Sequence, residues 1–480
     1  MIVLQREIGI VRAVKGYHVT IEGLPSVRIN DVIVREDGVR ALTSALKHDA
    51  VEATLLDNAF VVPGEHFFLT DQTYQMYLGD HLFGRVVNPL CDPIDGGSAL
   101  PPKNTHLLPY VEAGTIKKRG KIVQQLHTGY ALTDVVLPIG MGQRQLLMGP
   151  PQSGTSVFAR EVMLHQMQTK NIVCIYVLIG KHLSEVQRIA HSLFETDAKK
   201  FTLLIATTAR DMAPMHGIAP AVGMQVAEWY ASSGKDVLIV LDDLYTHAKY
   251  LREMALLEGR LPGRESYPGD IFFQQAHLIE RAGSFADKGS ITMLPIIQTN
   301  MDSYTDLITT NIMGTTDGHL SFSPLLHAQG IFPPILDSES VTRVGKHTQT
   351  MVLKQLSTAV SSARASAREQ ERIAQFGQLS EGSRQVFETG RILQSMLTQV
   401  EGAQLPLAVQ AVLVSLPFTT FDAKDVTWTS ALITALSEAI LVHSSYATLL
   451  RAVEEEATLT SFLAFLEKEF VSLCTKICRT

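Results

Sequence analysis

The sequence contains few cysteines, and their spacing does not form a metal-binding set. The four cysteines among 480 residues are Cys91, Cys174, Cys474 and Cys478. Isolated thiols of this kind favour a protein of a reducing compartment. Cys474 and Cys478 would share one face of a helix, so a metal or redox pair at these two positions is a second, less favoured interpretation.

The sequence also lacks an excess of positive charge and a long apolar run. Its formal net charge is −7, which argues against a nucleic-acid-binding surface. A membrane-spanning helix needs about 20 mostly apolar residues, and the most apolar stretch, Ala431 to Leu450, is interrupted by Glu438 and His443. The amino terminus has no basic segment followed by an apolar core, so no signal peptide is expected. These features favour a cytoplasmic protein.

Three regions of different composition follow one another along the chain. Residues 1–83 contain short apolar runs between Gly, Pro and Asp, and they predict a small N-terminal β-barrel. Residues 84–355 alternate helical stretches with strongly apolar runs, which predict a central α/β domain with a parallel sheet. Residues 356–480 lose the strand signal and predict a C-terminal α-helical bundle. The strands of the barrel are expected near positions 8–11, 17–21, 27–29, 31–34, 52–56 and 60–62.

A glycine loop lies within the α/β region, at Gly149 to Ser156. It follows an apolar run and precedes a helical segment, which is the setting of a P-loop, where backbone N–H groups bind phosphate. The glycine spacing and the final hydroxyl fit this motif, but Thr155 stands where the motif has lysine. The candidate nucleotide-binding residues of the loop are Gly149, Gln152, Ser153, Gly154, Thr155 and Ser156.

A second nucleotide motif is the apolar run 237–241, which ends in Asp242 and Asp243. In this Walker B arrangement a carboxylate holds magnesium beside the hydroxyl of the P-loop. Ser156 and Asp242 are therefore the candidate magnesium ligands. Buried strands often end in Asp, so this motif alone is weak evidence for a nucleotide site. It is strengthened because it lies in the same region as the glycine loop.

Together these stretches resemble the alpha subunit of F-type rotary ATP synthases. The resemblance runs in family order over residues 84 to about 380. It also implies the family's three-domain build of barrel, RecA-like P-loop domain and helical bundle, which agrees with the fold class predicted above. The matching stretches are 128–130, 138–144, 174–180, 242–244, 262–265, 268–270, 278–282, 310–311, 316–318, 340–345 and 349–350.

The resemblance implies partners and a cofactor. In this family alpha subunits alternate with catalytic beta subunits in a hexameric ring around a central gamma-type shaft. The catalytic sites lie mainly on beta and use ATP or ADP with magnesium at the interface shared with alpha. This chain would then be a non-catalytic subunit of an ion-translocating enzyme for ATP synthesis or hydrolysis. It would lie at the cytoplasmic face of the cell membrane and meet the membrane only through the complex.

The resemblance also implies a role for Arg343. The family's S-x-S-R-x-G stretch corresponds here to Ser340 to Gly345, which makes Arg343 the candidate arginine finger for the neighbouring beta subunit. A guanidinium at that place stabilises charge on the transferred phosphoryl group. Ser340 would help to hold the loop. The alternative for Arg343 is an ordinary surface salt bridge.

Several positions depart from the family around the chain's own nucleotide site. Thr155 replaces lysine, Lys181 stands where alpha has Gln and beta has its catalytic Glu, and Phe332 replaces the Arg of a G-I-R-P stretch. Pro150 and Pro151 remove two backbone N–H groups. The favoured interpretation is drift at a site that is weak or empty. The alternative is that Lys181 supplies the missing cation.

The sequence also allows other hypotheses of function. Alpha subunits usually begin with a helical extension for the peripheral stalk, whereas this sequence begins close to the barrel, so contact with a stalk is left open. The chain could also be the ring scaffold of an F-type-like motor that is not coupled to ion transport. A self-sufficient hexameric ATPase is disfavoured, because Thr155 and Lys181 replace the lysine and the catalytic glutamate that it would need.

Overall fold

The structure, a computed structural model, describes residues 7–69, 78–98, 100, 119–166, 172–299, 305–374, 380–421, 426 and 428–479. These residues fall into two units. The first unit lies within 1–121 and 170–316, and the second lies within 122–169 and 317–480. Each unit is therefore built from two separate stretches of the chain.

The strands are short near the amino terminus and longer in the middle of the chain. They are β1 (Ile8–Lys15), β2 (His18–Glu22), β3 (Val32–Arg35), β4 (Arg40–Leu46), β5 (Val51–Leu55), β6 (His66–Leu69), β7 (Val86–Val87), β8 (Gln125–Leu126), β9 (Ile139–Gly140), β10 (Gln145–Gly149), β11 (Ile172–Lys181), β12 (Thr202–Thr208), β13 (Asp236–Asp242), β14 (Ile291–Gln298), β15 (Gly318–Ser321) and β16 (Val341–Thr342).

Helices alternate with the central strands and then follow one another through the carboxyl-terminal region. They are α1 (Thr155–His165), α2 (Leu183–Phe194), α3 (Ala213–Ser232), α4 (Leu244–Leu257), α5 (Ile271–Glu280), α6 (Leu307–Thr315), α7 (Pro324–Ala328), α8 (Met351–Ala374), α9 (Glu381–Leu397), α10 (Leu407–Ser415), α11 (Ser430–Leu441), α12 (Tyr446–Glu455), α13 (Leu459–Glu469) and α14 (Val471–Arg479).

Strands β1 to β6 close into a barrel in the order β1-β2-β5-β4-β3-β6. The barrel closes because β1 pairs antiparallel with both β2 and β6. Successive side chains of a strand point to opposite faces, and those that face inwards, such as Val19, Ile33 and Phe67, are fully buried. The predicted small β-barrel is confirmed.

Two of the predicted barrel strands are wrong, and two strands, β4 and β6, were not predicted. Residues 27–29 lie outside any strand, and the neighbouring Asp31 N–H donates to the Arg28 carbonyl at 3.1 Å. Residues 60–62 lie outside any strand, just before Pro63 and a turn. Strand β4 escaped prediction because its buried positions carry Ala41 and Thr43 rather than large apolar residues.

In the first unit, parallel strands follow the order β14-β13-β11-β12-β7. Burial on both faces explains their apolar runs, and Ile175, Leu204 and Ile239 are fully buried. Helix α3 packs on β11, β12 and β13. This close packing uses Gly223, where a Cβ would overlap the side chain of Val177. The predicted α/β architecture is confirmed.

In the second unit, β10 pairs in parallel with β15, and β15 pairs antiparallel with β16. Helix α1 follows β10. Helices α8 to α14 share an apolar core that includes Leu353, Val409, Leu436 and Phe462. The predicted C-terminal helical region is confirmed, while the limits 1–83, 84–355 and 356–480 stay predictions.

The described helices were also compared with the length and hydropathy of a membrane span. Within the described ranges, no single helix is both long and apolar enough to cross a bilayer. Helices α11 and α12 reach the required length and hydropathy when taken together, and they are bent by 94° relative to each other.

Helices α8 and α9 approach closely at Gly390, where a Cβ would overlap the Cβ of Ala367. We expect Gly390→Ala to lower the free energy of unfolding by about 1–3 kcal/mol, the usual cost of overpacking a core. Urea or thermal denaturation of the purified chain would measure this loss.

Gly382 on the same helix provides the matched control, because nothing lies within 4 Å of a Cβ added there. Gly382→Ala should be neutral or slightly stabilising, since alanine is the better helix former. Adding Ala367→Gly to Gly390→Ala should recover part of the loss. Equal responses to the two alanine substitutions would contradict the close approach of α8 and α9.

Candidate functional site

The glycine loop joins β10 to α1 in the second unit. A Cβ at Gly149 would lie 2.5 Å from the Ser153 hydroxyl oxygen and 2.9 Å from Phe322. Gly154, which precedes the first residue of α1, has φ +90°, a conformation that favours glycine. Space at one position and backbone geometry at the other therefore require the two glycines of the predicted motif.

Contacts within the second unit fix the remainder of the loop. His327 Nδ1 lies 2.9 Å from the carbonyl oxygen of Gln152, and because a carbonyl only accepts, the imidazole is the donor. Pro334 packs against Gly154, since a Cβ there would lie 2.9 Å from its ring. The uncharged side chain of Thr155 is buried at the start of α1. The loop is thus held by contacts within its own unit, without the lysine.

The donors available to an anion at this loop are reduced. Pro150 and Pro151 have no N–H groups, and residues 149–156 include no charged side chain. Ser153 Oγ is buried without a hydrogen-bond partner in the described parts of the chain. Ser156 lies in the first turn of α1 and is partly exposed. The loop keeps the shape of a phosphate cradle but offers fewer donors and no cation of its own.

Phe332 is buried in an aromatic cluster of the second unit. Its ring meets that of Tyr130 edge to face, with 5.0 Å between centroids. Its carbonyl accepts the Gln399 N–H at 2.8 Å. Phe158 of α1 and Phe322 extend the cluster, with 5.5 Å between their rings. An arginine at position 332 would have to place its charge beside these rings or turn away from them. The replacement of the family's arginine by Phe332 therefore agrees with the apolar environment of this position.

Lys181 and Asp242 lie together in the first unit. They end β11 and β13, which are paired in parallel. The Lys181 ammonium lies 2.8 Å from Asp242 Oδ1, and the two side chains are 8% and 0% exposed. The Tyr176 hydroxyl donates to Asp242 Oδ2 at 3.0 Å, and a Glu185 oxygen lies 3.7 Å from the ammonium. Two residues predicted for one site are therefore in direct contact as a buried ion pair.

The carboxylates around Lys181 keep its amine charged. Burial is the largest single influence and lowers the pKa of Lys181, but the carboxylates of Asp242, Glu185 and Asp243 together outweigh it, so the pKa is raised overall. Burial raises the pKa of the adjacent Asp243, which caps α4 by accepting the Thr246 N–H at 2.6 Å. The predicted cation at position 181 is thus engaged by acidic side chains of its own unit.

The residues around Asp242 do not fit the magnesium ion that the resemblance implies. Magnesium takes oxygen ligands in an octahedral shell, whereas Asp242 Oδ1 faces a buried ammonium at 2.8 Å. In the described parts of the chain, no group of three or more His, Cys, Asp or Glu side chains is placed to hold a metal ion. The assignment of Asp242 as a magnesium ligand therefore has no support in its surroundings.

Arg343 follows β16 on the loop of the S-x-S-R-x-G stretch, in the second unit. Its N–H donates to the Asp317 carbonyl at 3.1 Å. Its side chain is exposed and makes no hydrogen bond or ion pair with the described residues. Burial lowers the pKa of His319, and the charge of Arg343 adds to that shift. A fixed backbone thus carries a guanidinium that pairs with none of the residues described in the structure.

Ser340 holds the base of the same loop. Its hydroxyl accepts the Ser321 N–H at 3.0 Å and donates to the Leu336 carbonyl at 2.7 Å. Two residues further on, the Thr342 hydroxyl donates to the Pro138 carbonyl at 2.8 Å. Ser340 therefore acts on the position of the loop, and its hydroxyl is already engaged.

An ion pair that was not predicted from the sequence lies beneath the Arg343 loop. Arg144 donates to Asp317 through Nε at 2.9 Å and Nη2 at 2.6 Å, and its backbone N–H donates to the same carboxylate at 3.0 Å. Both residues fall within family-like stretches, 138–144 and 316–318, and that was the available signal. No sequence pattern predicted the contacts from Tyr176 to Asp242 or from His327 to the glycine loop.

The predicted site residues divide between the units. The second unit contains the glycine loop, Ser340 and Arg343, and the first contains Lys181 and Asp242. A glycine loop between a strand and a helix defines a nucleotide-binding class of protein. In agreement, residues 129–342 match the family described as the ATP synthase alpha/beta family, nucleotide-binding domain.

Similar proteins narrow this class to one subunit. The chain is 36% identical over 393 residues to ATP synthase subunit alpha of Clostridium kluyveri (strain NBRC 12016), covering 81% of this chain and 77% of that protein. It is 34% identical over 427 residues to ATP synthase subunit alpha 2 of Albidiferax ferrireducens, covering 88% and 79%. It is 37% identical over 413 residues to ATP synthase subunit alpha of Mycoplasmoides gallisepticum, covering 83% and 79%. The chain belongs to the family of F-type ATP synthase alpha subunits.

We expect Arg144→Met to destabilise the second unit by about 1.5–3 kcal/mol, the usual contribution of a hydrogen bond to a charged group. The reason is that Asp317, which is 16% exposed, would lose its bidentate partner. Urea denaturation followed by circular dichroism would measure the change. Arg372→Met is the matched control, since that side chain is 80% exposed in its pair with Glu369. A loss no larger than that of the control would contradict a structural role for Arg144.

Proposed function

We propose that this chain is a non-catalytic alpha-type subunit that lends Arg343 to the catalytic site of a neighbouring beta subunit. The observation that carries the proposal is the exposed guanidinium of Arg343, on a loop whose preceding residues Ser340 and Thr342 are held by hydrogen bonds. In a transferase or hydrolase of phosphoryl groups, such a group neutralises the charge that develops on the γ-phosphate. An arginine that has no side-chain partner among the described residues is suited to act on another chain.

The chain's own nucleotide site is weak or lost in this proposal. A missing charge-assisted contact weakens binding by about 1.5–3 kcal/mol. Thr155, Pro150 and Pro151 remove donors, and Lys181 is neutralised by Asp242 at 2.8 Å. One feature favours residual binding: the buried Ser153 hydroxyl has no partner in the described residues, so a ligand oxygen that accepted from it would relieve a cost of about 1–3 kcal/mol.

The partners and location follow from the family and are part of the proposal. The chain would alternate with beta-type subunits around a gamma-type shaft, in a complex that couples ATP synthesis or hydrolysis to ion movement. It would lie at the cytoplasmic face of the cell membrane and touch the membrane only through other subunits. ATP or ADP with magnesium would bind at the interface with beta. The alternatives of a repurposed motor and of a self-sufficient ATPase have no specific observation in their favour.

We expect Arg343→Ala to leave assembly of the co-expressed complex intact and to lower its ATPase rate by about 10³-fold or more, the range found for arginine fingers. Gel filtration would check assembly and a coupled assay would measure turnover. Arg343→Lys should recover little, because an ammonium cannot form the planar two-pronged contact.

The control for Arg343 is Lys346→Ala, which removes an exposed cation three residues further along the same loop. This variant should keep most of the turnover. If Arg343→Ala turned over at the rate of the unmodified complex, the arginine-finger proposal would be refuted.

We expect the purified chain to bind magnesium-ATP weakly or not at all, because the glycine loop lacks its lysine. Thr155→Lys should tighten binding by roughly ten- to a hundredfold, the value of one charge-assisted contact. Calorimetry would measure both affinities. Thr155→Met, which adds length without charge, is the control. Micromolar binding by the unmodified chain would contradict the proposal of a weak site.

A further inference from the structure

The carboxylate at the end of β13 already has a cation of its own. Asp242 is fully buried, and burying a carboxylate without a counter-charge is very costly. In a Walker B site that counter-charge is a divalent metal ion. Here the Lys181 ammonium lies 2.8 Å from Asp242 Oδ1.

We propose that the Lys181 ammonium permanently replaces the divalent cation at Asp242, so that the carboxyl end of β13 is neutralised without a metal ion. The inference rests on the proposed function, in that it explains how the weak site is neutralised. It differs from the hypothesis that Lys181 supplies a cation to phosphate, because the ammonium is engaged by the carboxylate and is not presented to a ligand.

The surroundings of the ammonium support replacement. Glu185 lies 3.7 Å from it, and Tyr176 donates to the second Asp242 oxygen at 3.0 Å. A divalent ion at Oδ1 would have to displace the ammonium and would face its positive charge at close range. The ammonium, in turn, has acidic neighbours that would oppose an approaching phosphate.

The backbone around Lys181 is shaped to hold this position. Gly180, with φ +66°, precedes it, and the pairing of β11 with β12 shifts register between Leu178 and Lys181. The Lys181 carbonyl accepts the Ala209 N–H at 3.0 Å, and the Gly180 N–H donates to the Thr207 hydroxyl at 3.0 Å. The position of the lysine is therefore fixed by a hydrogen-bonded irregularity at the end of β11.

The test is a double-mutant cycle on the full-length chain, with thermal denaturation in EDTA and in magnesium chloride. Lys181→Gln should lower the midpoint temperature by several degrees in EDTA, because Asp242 loses this counter-ion, and magnesium should restore part of the loss. Lys181→Gln with Asp242→Asn should be more stable than Lys181→Gln alone and should not respond to magnesium. Lys200→Gln, which removes an exposed lysine paired with Asp197, is the control. Magnesium should raise the midpoint temperature of the unmodified chain no more than that of this control.

Two outcomes would overturn the proposal. One is a Lys181→Gln chain whose loss is relieved neither by magnesium nor by Asp242→Asn. The other is a magnesium response of the unmodified chain that Asp242→Asn abolishes.

A second measurement does not depend on Lys181→Gln folding. Hydrogen exchange of the peptide spanning 236–243 in the unmodified chain should be equal in EDTA and in magnesium, and slower exchange in magnesium would refute the proposal. These outcomes are separate from the Arg343 experiment, which reads turnover of the complex, so either proposal can fail while the other stands.

Discussion

The loop that carries Arg343 depends on the bidentate contact between Arg144 and Asp317. Arg144 immediately precedes β10, and Asp317 immediately precedes β15, so the contact fixes the register of two parallel strands at their start. The Asp317 carbonyl then accepts the Arg343 N–H. One partly buried ion pair thus sets the strand that leads into the glycine loop and the backbone that presents the guanidinium. Its geometry matters more than its charge, because a planar fork fixes orientation as well as distance.

The two units place a positively charged side chain in opposite environments, buried in the first unit and exposed in the second. In the first, Lys181 is buried against Asp242, whose carboxylate lies 2.8 Å from its ammonium. In the second, Arg343 is exposed and has no partner among the described residues. The buried Lys181 pair and the exposed Arg343 agree with the proposed role of the chain, which is to support a reaction on another subunit. This contrast links the departures from the family to one proposed role.

The spacing of apolar residues and the order of the motifs predicted the barrel, the α/β sheet and the helical region. Strands and helices that are buried on one or two faces have characteristic spacings of apolar residues. Strand β4 left little trace, since Ala41 and Thr43 fill its inward positions. The contact of Lys181 with Asp242 could not be predicted, because it depends on the pairing of β11 with β13. The same holds for Phe332, whose aromatic neighbours come from distant segments. The roles of Arg343 and of the loop residues stay predictions.

The pairing of β10 with β15 has a consequence for how the chain assembles. Arg144 and Asp317 are 173 residues apart in sequence, and the segment that contains the glycine loop belongs to a unit completed only by residues after 317. Contacts of such long range slow folding, because the entropy of closing a large loop must be met first. During synthesis, the strand before the glycine loop therefore cannot pair with β15 until most of the chain has been made. The glycine loop is a motif of only eight residues, but the unit that contains it forms through contacts between residues far apart in the sequence.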